Sequence, residues 1–153
     1  MRLTMRTDYA LRVLIHLALG PERLGSIRSI ALSYKISENH LMKVVHGLVQ
    51  KGFVESTRGR GGGIRLARQA SAISIGDVVR ELEDELSLVE CFSTRTNACA
   101  ITRACRLKSI LFEALNAFLA VLDRYTIADL LEPSAELRSI LGIGDLAKTE
   151  ALA

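Results

Sequence analysis

The sequence predicts a mainly α chain: a winged helix-turn-helix with a small β-hairpin wing, followed by a long C-terminal helix suited to dimerisation. Three observations lead there. Apolar residues recur at three- and four-residue steps along most of the 153 residues, while aromatics are only 5% and Trp is absent, so the core is aliphatic and helix-rich. Two short helical patterns joined by a tight turn are followed by a hairpin with a glycine-rich basic tip. Charge divides the chain, since residues 1–70 hold twelve Lys/Arg and four Asp/Glu, a net of +8, whereas residues 71–153 hold eight and thirteen, a net of −5. A basic half and an acidic half imply a polyanion partner for the first half alone.

The first helix runs from Thr7 to Leu19, with Tyr9, Leu11, Val13, Leu14, Leu17 and Ala18 on a broad apolar face and Gly20-Pro21 as its stop. Thr4 or Thr7 suits its cap. Asp8 falls in its first turn, where a carboxylate meets the positive end of the helix dipole. A second helix, Ser26 to Tyr34, is capped by Ser26 and turns at Lys35-Ile36. Ser37 caps a third, in which Leu41, Val44, Val45 and Leu48 face inward, while Asn39, His40, Lys43, His46 and Gln50 fall on or near the opposite side. Two helices so joined, the second polar on its outer N-terminal face, form the helix-turn-helix pattern.

Gly52 stops the third helix. Phe53–Thr57 and Ile64–Ala67 then read as two strands around RGRGGG, residues 58–63. Glycines let such a tip approach a backbone closely. Arg58 and Arg60 could then enter a minor groove or hold phosphates, with Arg65 also on the wing. The tip is not a nucleotide-phosphate loop, because no Gly-Lys-Ser/Thr follows it. The combination points to double-stranded DNA, with Arg28, Ser37, Asn39, His40 and Lys43 serving the reading helices and Arg58, Arg60 and Arg65 the wing.

Ser74 to Leu82 forms a fourth helix with Ile75, Val78, Val79 and Leu82 on its apolar side. Glu81, Glu83, Asp84 and Glu85 then open the acidic half as a solvated charge run. Cys105 to Arg124 reads as one long helix, striped by Leu107, Ile110, Leu111, Ala114, Leu115, Phe118, Leu119 and Leu122. A second copy of the same helix is the natural cover for so broad a stripe, which gives a two-fold dimer. Thr126–Leu131 is a short closing helix, and the tail beyond it is mixed and expected to fray. The expected divisions are a DNA-binding unit over 1–82, a ligand loop over 83–105, the dimerisation and closing helices over 106–132 and a flexible tail over 133–153.

All three cysteines lie between residues 91 and 105, spaced C-x7-C-x5-C. Zinc sites usually hold a close C-x2–4-C pair and four ligands, and neither is present. The surrounding Arg95, Thr96, Asn97, Thr102 and Arg103 give the segment a loop composition. Loosely spaced thiolates in a reducing compartment suit an iron–sulfur cluster, with Cys91, Cys99 and Cys105 as metal ligands. Zinc, and structural or redox thiols, remain open on spacing alone.

Other function classes find no support. Arg12 and His16 interrupt the apolar run in the first helix, no small-residue cleavage site follows it, and no run approaches the ~18 apolar residues of a spanning helix. The expectation is a cytoplasmic protein with no membrane partner and reduced thiols. No catalytic acid–base constellation or nucleotide motif is visible, so an enzyme is not expected.

Five stretches in order, LTMRTDYALRVLIHLA, RGRGGGIRLA, AISIGDVVRELE, the cysteines with ITRACRLKSIL, and YTIADLL, together resemble the IscR-like family of winged-helix regulators, and within it the nitric-oxide-sensing repressors. The resemblance runs through roughly residues 1–132. It implies a homodimer on a palindromic operator, with Cys91, Cys99 and Cys105 holding a [4Fe–4S] cluster in each subunit, a [2Fe–2S] cluster being the other option. It implies that an N-terminal acidic residue from the partner subunit is the fourth ligand, a position that Asp8 matches. Another branch of the family uses a His three residues after its last cysteine, where this chain has Lys108. The implied signal is nitric oxide, whose reaction at the iron releases DNA and derepresses nitric oxide detoxification genes. The alternative is a related regulator that senses iron–sulfur supply, iron or redox state.

Overall fold

A computed structural model of the chain describes residues 2–20, 24–83, 86–93, 95 and 97–144. Pro21, Asp84, Glu85, Thr96 and the tail from Asp145, on which some expectations fell, lie outside the described residues.

Helix α1 (Met5–Leu19) starts where Thr4 Oγ1 accepts the Thr7 backbone N–H, and it buries Ala10, Val13 and Leu14 completely. Helix α2 (Ile27–Tyr34) is capped by Ser26, whose Oγ accepts the Ser29 N–H at 3.0 Å, and it ends at Lys35 in the left-handed region. Helix α3 (Glu38–Gln50) follows. Ser37 stands at its cap position as expected, but its side chain makes no capping bond. Leu41, Val44, Val45 and Leu48 are buried against α1 and α2, as their spacing requires.

The wing pairs β1 (Val54–Thr57) antiparallel with β2 (Gly63–Leu66), in a register that sets Val54 opposite Leu66 and Glu55 opposite Arg65. It is tied to the body by a reciprocal backbone pair, Gly25 N–H to Ile64 O and Ile64 N–H to Gly25 O, each 2.8 Å. Gly63 must lack a side chain here, because a Cβ would lie 2.6 Å from the Gly25 carbonyl oxygen.

Helix α4 (Ile75–Leu82) is joined to the end of α5 (Arg106–Leu122) by main-chain bonds, with Ile75 N–H donating to Tyr125 O at 3.0 Å and Ile127 N–H to Ile73 O at 2.9 Å. The main core gathers α1–α4 and both strands. A second cluster, built on Ile75, Val79, Leu115 and Leu119, packs α5 onto α4. Among the described residues no helix is long and apolar enough to cross a membrane.

Three expectations about the C-terminal part are corrected. The long helix begins at Arg106 and ends at Leu122, with Cys105 as its cap residue. Its apolar stripe divides: Leu111, Leu115, Phe118, Leu119 and Leu122 turn inward, whereas Leu107, Ile110 and Val121 stay exposed. The closing segment is a single 3-10 turn, Ala128–Leu130. Beyond it, Ser134–Leu141 forms helix α6, which returns to α1. There Arg138 Nε donates to Leu19 O at 2.9 Å, and Ser33 Oγ on α2 donates to Leu141 O at 2.7 Å.

Candidate functional site

The outer side of α3 is set by its buried side. With Leu41, Val44, Val45 and Leu48 inside, Asn39, Lys43, His46 and Gln50 recur on the face most distant from the core, and all four are exposed. Ser37 and His40 are exposed beside them, and Arg28 is exposed on the first turn of α2. The expected reading residues are therefore all exposed, and Asn39 and Lys43 lie on the outward face of α3. His46 and Gln50 sit nearer its centre than His40 does. The helical spacing itself was the signal for both, since they follow Asn39 and Lys43 by seven residues.

The wing is less uniform than its composition suggests. Arg58 and Arg60 are exposed at the tip and have no ion-pair partner among the described residues. Arg65 is engaged: its Nε and Nη2 both donate to Glu55 Oε2, at 3.0 and 2.9 Å, across the ladder. Its charge is already half-neutralised within the hairpin, so it offers less to a polyanion than Arg58 or Arg60.

The thiols are all half-buried and none is in a disulfide. Cys91 lies in a 3-10 turn, Glu90–Phe92, anchored by Phe92 edge-on to Phe112 of α5 with ring centroids 5.9 Å apart. The Cys99 N–H donates to Asn97 Oδ1 at 3.1 Å, and Thr102 Oγ1 donates to the Cys99 carbonyl at 2.8 Å, which closes a local turn. Cys105 caps α5 with no side-chain capping bond. Among the described residues no three His, Cys, Asp or Glu side chains come together as a metal-ion site. The donor set nevertheless fits iron–sulfur chemistry, being three unpaired, half-buried sulfurs on a loop with little side-chain packing.

Asp8 is on the first turn of α1, held in an ion pair with Arg12 at 2.7 Å. The Arg12 guanidinium also lies 5.7 Å from the Tyr9 ring and 5.9 Å from the Tyr34 ring, which connects this pair to the end of α2. Beside it, Glu83 at the end of α4 accepts the Thr4 N–H at 2.8 Å and the Thr4 hydroxyl at 3.1 Å. Burial works to raise the Glu83 pKa, but hydrogen bonds from Thr7 and Thr4 and the Arg6 charge hold it below the ordinary value. The segment that leads to the cysteines is thus fastened at its start to the N-terminus of α1. The sequence showed Glu83 only as one of a run of acids.

A second fastening lies at the other end of α5. Arg80 on α4 donates from both terminal nitrogens to the two Asp123 oxygens, each at 2.6 Å. Gly76 makes room for this pair, since a Cβ there would overlap the Asp123 carboxylate.

Comparison with known proteins agrees with this arrangement. A model of the Rrf2 family, described as an iron-dependent transcriptional regulator, matches residues 3–133. The HTH-type transcriptional regulator NsrR of Geobacillus kaustophilus is 56% identical over 142 residues, covering 92% of this chain and 97% of that one. The NsrR of Bacillus subtilis is 52% identical over the same length, covering 92% and 97%. Among solved structures, CymR, the global cysteine regulator of B. subtilis, superposes with a TM-score of 0.67 at 30% identity, covering 85% of this chain and 95% of its own. The IscR of T. potens superposes with a TM-score of 0.70 at 28% identity, covering 90% and 91%. The helix-turn-helix, its wing and the long helix behind them are thus those of a DNA-binding transcriptional regulator, and the chain belongs to the Rrf2 family.

Proposed function

We propose that this chain acts as a homodimeric, cytoplasmic repressor that senses nitric oxide through a [4Fe–4S] cluster and releases a palindromic operator in response. The observation that carries the reading is the placement of three unpaired thiols between a DNA-reading head and a long helix, with Cys105 at that helix's first turn. The likeness to NsrR, 56% identical in G. kaustophilus, favours nitric oxide over iron–sulfur supply, iron or redox state as the signal. Cys91, Cys99 and Cys105 would hold the cluster, with Asp8 of the partner subunit as fourth ligand. When bound, the cluster supplies iron to which nitric oxide can bind.

The remaining steps belong to the chain's own residues. Leu107, Ile110, Ala114, Ala117 and Val121 recur on α5 at alternating steps of three and four, and all are exposed. That is the spacing of a seam between two helices, with small residues at its middle to permit close approach. Paired along it, two subunits would present two copies of α3 to successive major grooves, about 34 Å apart. Asn39, His40 and Lys43 would meet bases or phosphates there, with Ser37 and Arg28 on the flanking backbone. Arg58 and Arg60 would reach the adjacent minor groove, and Arg65 would support the wing through Glu55. Asp8 is on the helix that packs against α3, so what it binds changes the seat of the reading helix. Released, Asp8 can return to Arg12 on its own helix.

The test is an anaerobic visible spectrum, with iron and sulfide counts, before and after nitric oxide, alongside DNA binding. A broad band near ~400 nm that collapses with loss of DNA binding is expected. A structured multi-band spectrum would indicate [2Fe–2S]. A colourless protein that still binds DNA after reconstitution would remove the cluster from the mechanism.

A further inference from the structure

The outward face of α3 is polar except at one position. Beside Asn39, Lys43, His46 and Gln50 stands Met42, 47% exposed. It belongs to neither apolar cluster and so is not part of the core. It lies three residues after Asn39 and four before His46, within the half of α3 that a reading helix presents to base edges. The other exposed large apolar side chains of the long helix α5 lie on the seam described above or against the cysteine turn; Met42 is on a face whose remaining members are hydrogen-bonding or cationic.

In the major groove every base pair offers donors and acceptors, but only thymine offers an apolar group, its C5-methyl. A thioether carries no donor and is only a weak acceptor, so it gains nothing from a guanine or cytosine edge. Its unbranched, rotatable chain lets it lie against a methyl without strain in the helix. We propose that Met42 is a specificity-determining residue that reads the methyl group of one thymine in each half-site. This rests on the reading of α3 as the major-groove helix. Single exposed apolar residues are common on protein surfaces, so the experiment must separate contact with the methyl from mere exposure.

A palindromic duplex is first enriched from a random pool by the full-length, anaerobically reconstituted protein. Each thymine is then replaced by deoxyuridine, which keeps every hydrogen bond and removes only the methyl. For the wild type, one thymine per half-site should stand out, its replacement weakening binding about fourfold, the equivalent of ~0.8 kcal/mol for one buried methyl-sized group. Replacement in both half-sites should weaken it about sixteenfold, since well-separated positions add. Met42→Ala should bind the thymine duplex more weakly and show no deoxyuridine effect at that position, and Met42→Leu should restore the effect. Equal thermal midpoints would show that neither substitution disturbs the fold. A methyl effect of the same size in Met42→Ala, or none in the wild type, would overturn the assignment while leaving α3 a DNA reader. Failure to enrich any duplex over non-specific DNA would overturn the DNA-reading function and this assignment with it.

Discussion

Substitution of Gly76 by Ala should benefit stability less in the wild-type chain than when Asp123 is absent. Gly76 is within the first turn of α4, where Ala is intrinsically better by at most about 1 kcal/mol. Against this, the new Cβ would overlap the Asp123 carboxylate, which both terminal nitrogens of Arg80 hold at 2.6 Å. Asp123 cannot step aside and keep both bonds. The clash is with the end of an exposed side chain, so Asp123 can swing away only by giving up its pair with Arg80, and that loss offsets the helix gain in the wild type. In an Asp123→Ala background the obstacle is gone, and the remaining near neighbour, the Arg80 guanidinium, is the free end of a flexible side chain. Gly76→Ala should then raise the midpoint by a few degrees at most. The assay is thermal unfolding of the four proteins of the cycle, at one protein concentration because the chain is read as a dimer. A rise of equal size in both backgrounds would refute the claim that Gly76 exists to seat Asp123.

Three further outcomes are expected. Arg60→Ala should weaken operator binding and reduce the slope of log affinity against log salt by about 0.9 for each phosphate that is no longer neutralised; an unchanged slope would take Arg60 off the DNA. Arg138→Ala removes the bond from α6 to the Leu19 carbonyl and should cost about 1 kcal/mol in chemical denaturation; no change would mean that α6 does not brace α1. Glu83 is held below the usual carboxylate pKa, so its contribution to stability is present above the unfolded value of about 4.3 and is lost as pH falls through its lower folded value. Glu83→Gln should accordingly be less stable than the wild type near pH 6, with the gap closing below about pH 4. A constant gap across that range, followed by thermal midpoint, would assign the effect of Glu83 to shape rather than charge.

Much of the reading head was legible because its signals are local. Ser26, three residues before the Ser29 N–H that it caps, and Gly52, at φ 70° just past α3, fix helix ends through their own backbone chemistry. The wing was legible from Arg58 to Gly63 for the same reason. What the sequence hid depends on register or on distant partners. That Arg65 is tied to Glu55 follows only once those two residues are opposite each other in the ladder. That the tail folds back follows from Arg138 meeting a carbonyl 119 residues earlier. The stripe on α5 was visible, but apolar spacing cannot say which half of a wide stripe the chain covers itself. Leu115 and Leu119 go to α4, while Leu107 and Ile110 remain for another surface. The thiols were legible as a group and not as a site, since a loop shaped by Asn97, Thr102 and Phe92 alone has no reason to converge its sulfurs without what they bind.

If the cysteine segment is the sensor proposed above, its two fastenings set how an event at the thiols would reach DNA. At the far end of α5, Arg80 and Asp123, together with the main-chain bonds from Ile75 to Tyr125 and from Ile127 to Ile73, hold that helix to α4. At its near end α5 begins at Arg106, and Cys105 at the cap position makes no side-chain capping bond. On the reader side, Glu83 holds the first turn of α1 through Thr4, one turn from Asp8. On the proposed mechanism, a change of ligand at Cys105 or Asp8 would pull on the start of α5 and on α1, with the α4–α5 joint as the fixed point. Since α1 packs on α3, the displaced part would include the reading helix, and the two copies of α3 in the proposed dimer would change their spacing without either reader unfolding. Hydrogen exchange on the proposed cluster-loaded and cluster-free forms tests this: protection should change in the first turns of α1 and α5 and stay constant at Ile75 and Ile127. Equal changes at those two amides would mean that the joint itself opens.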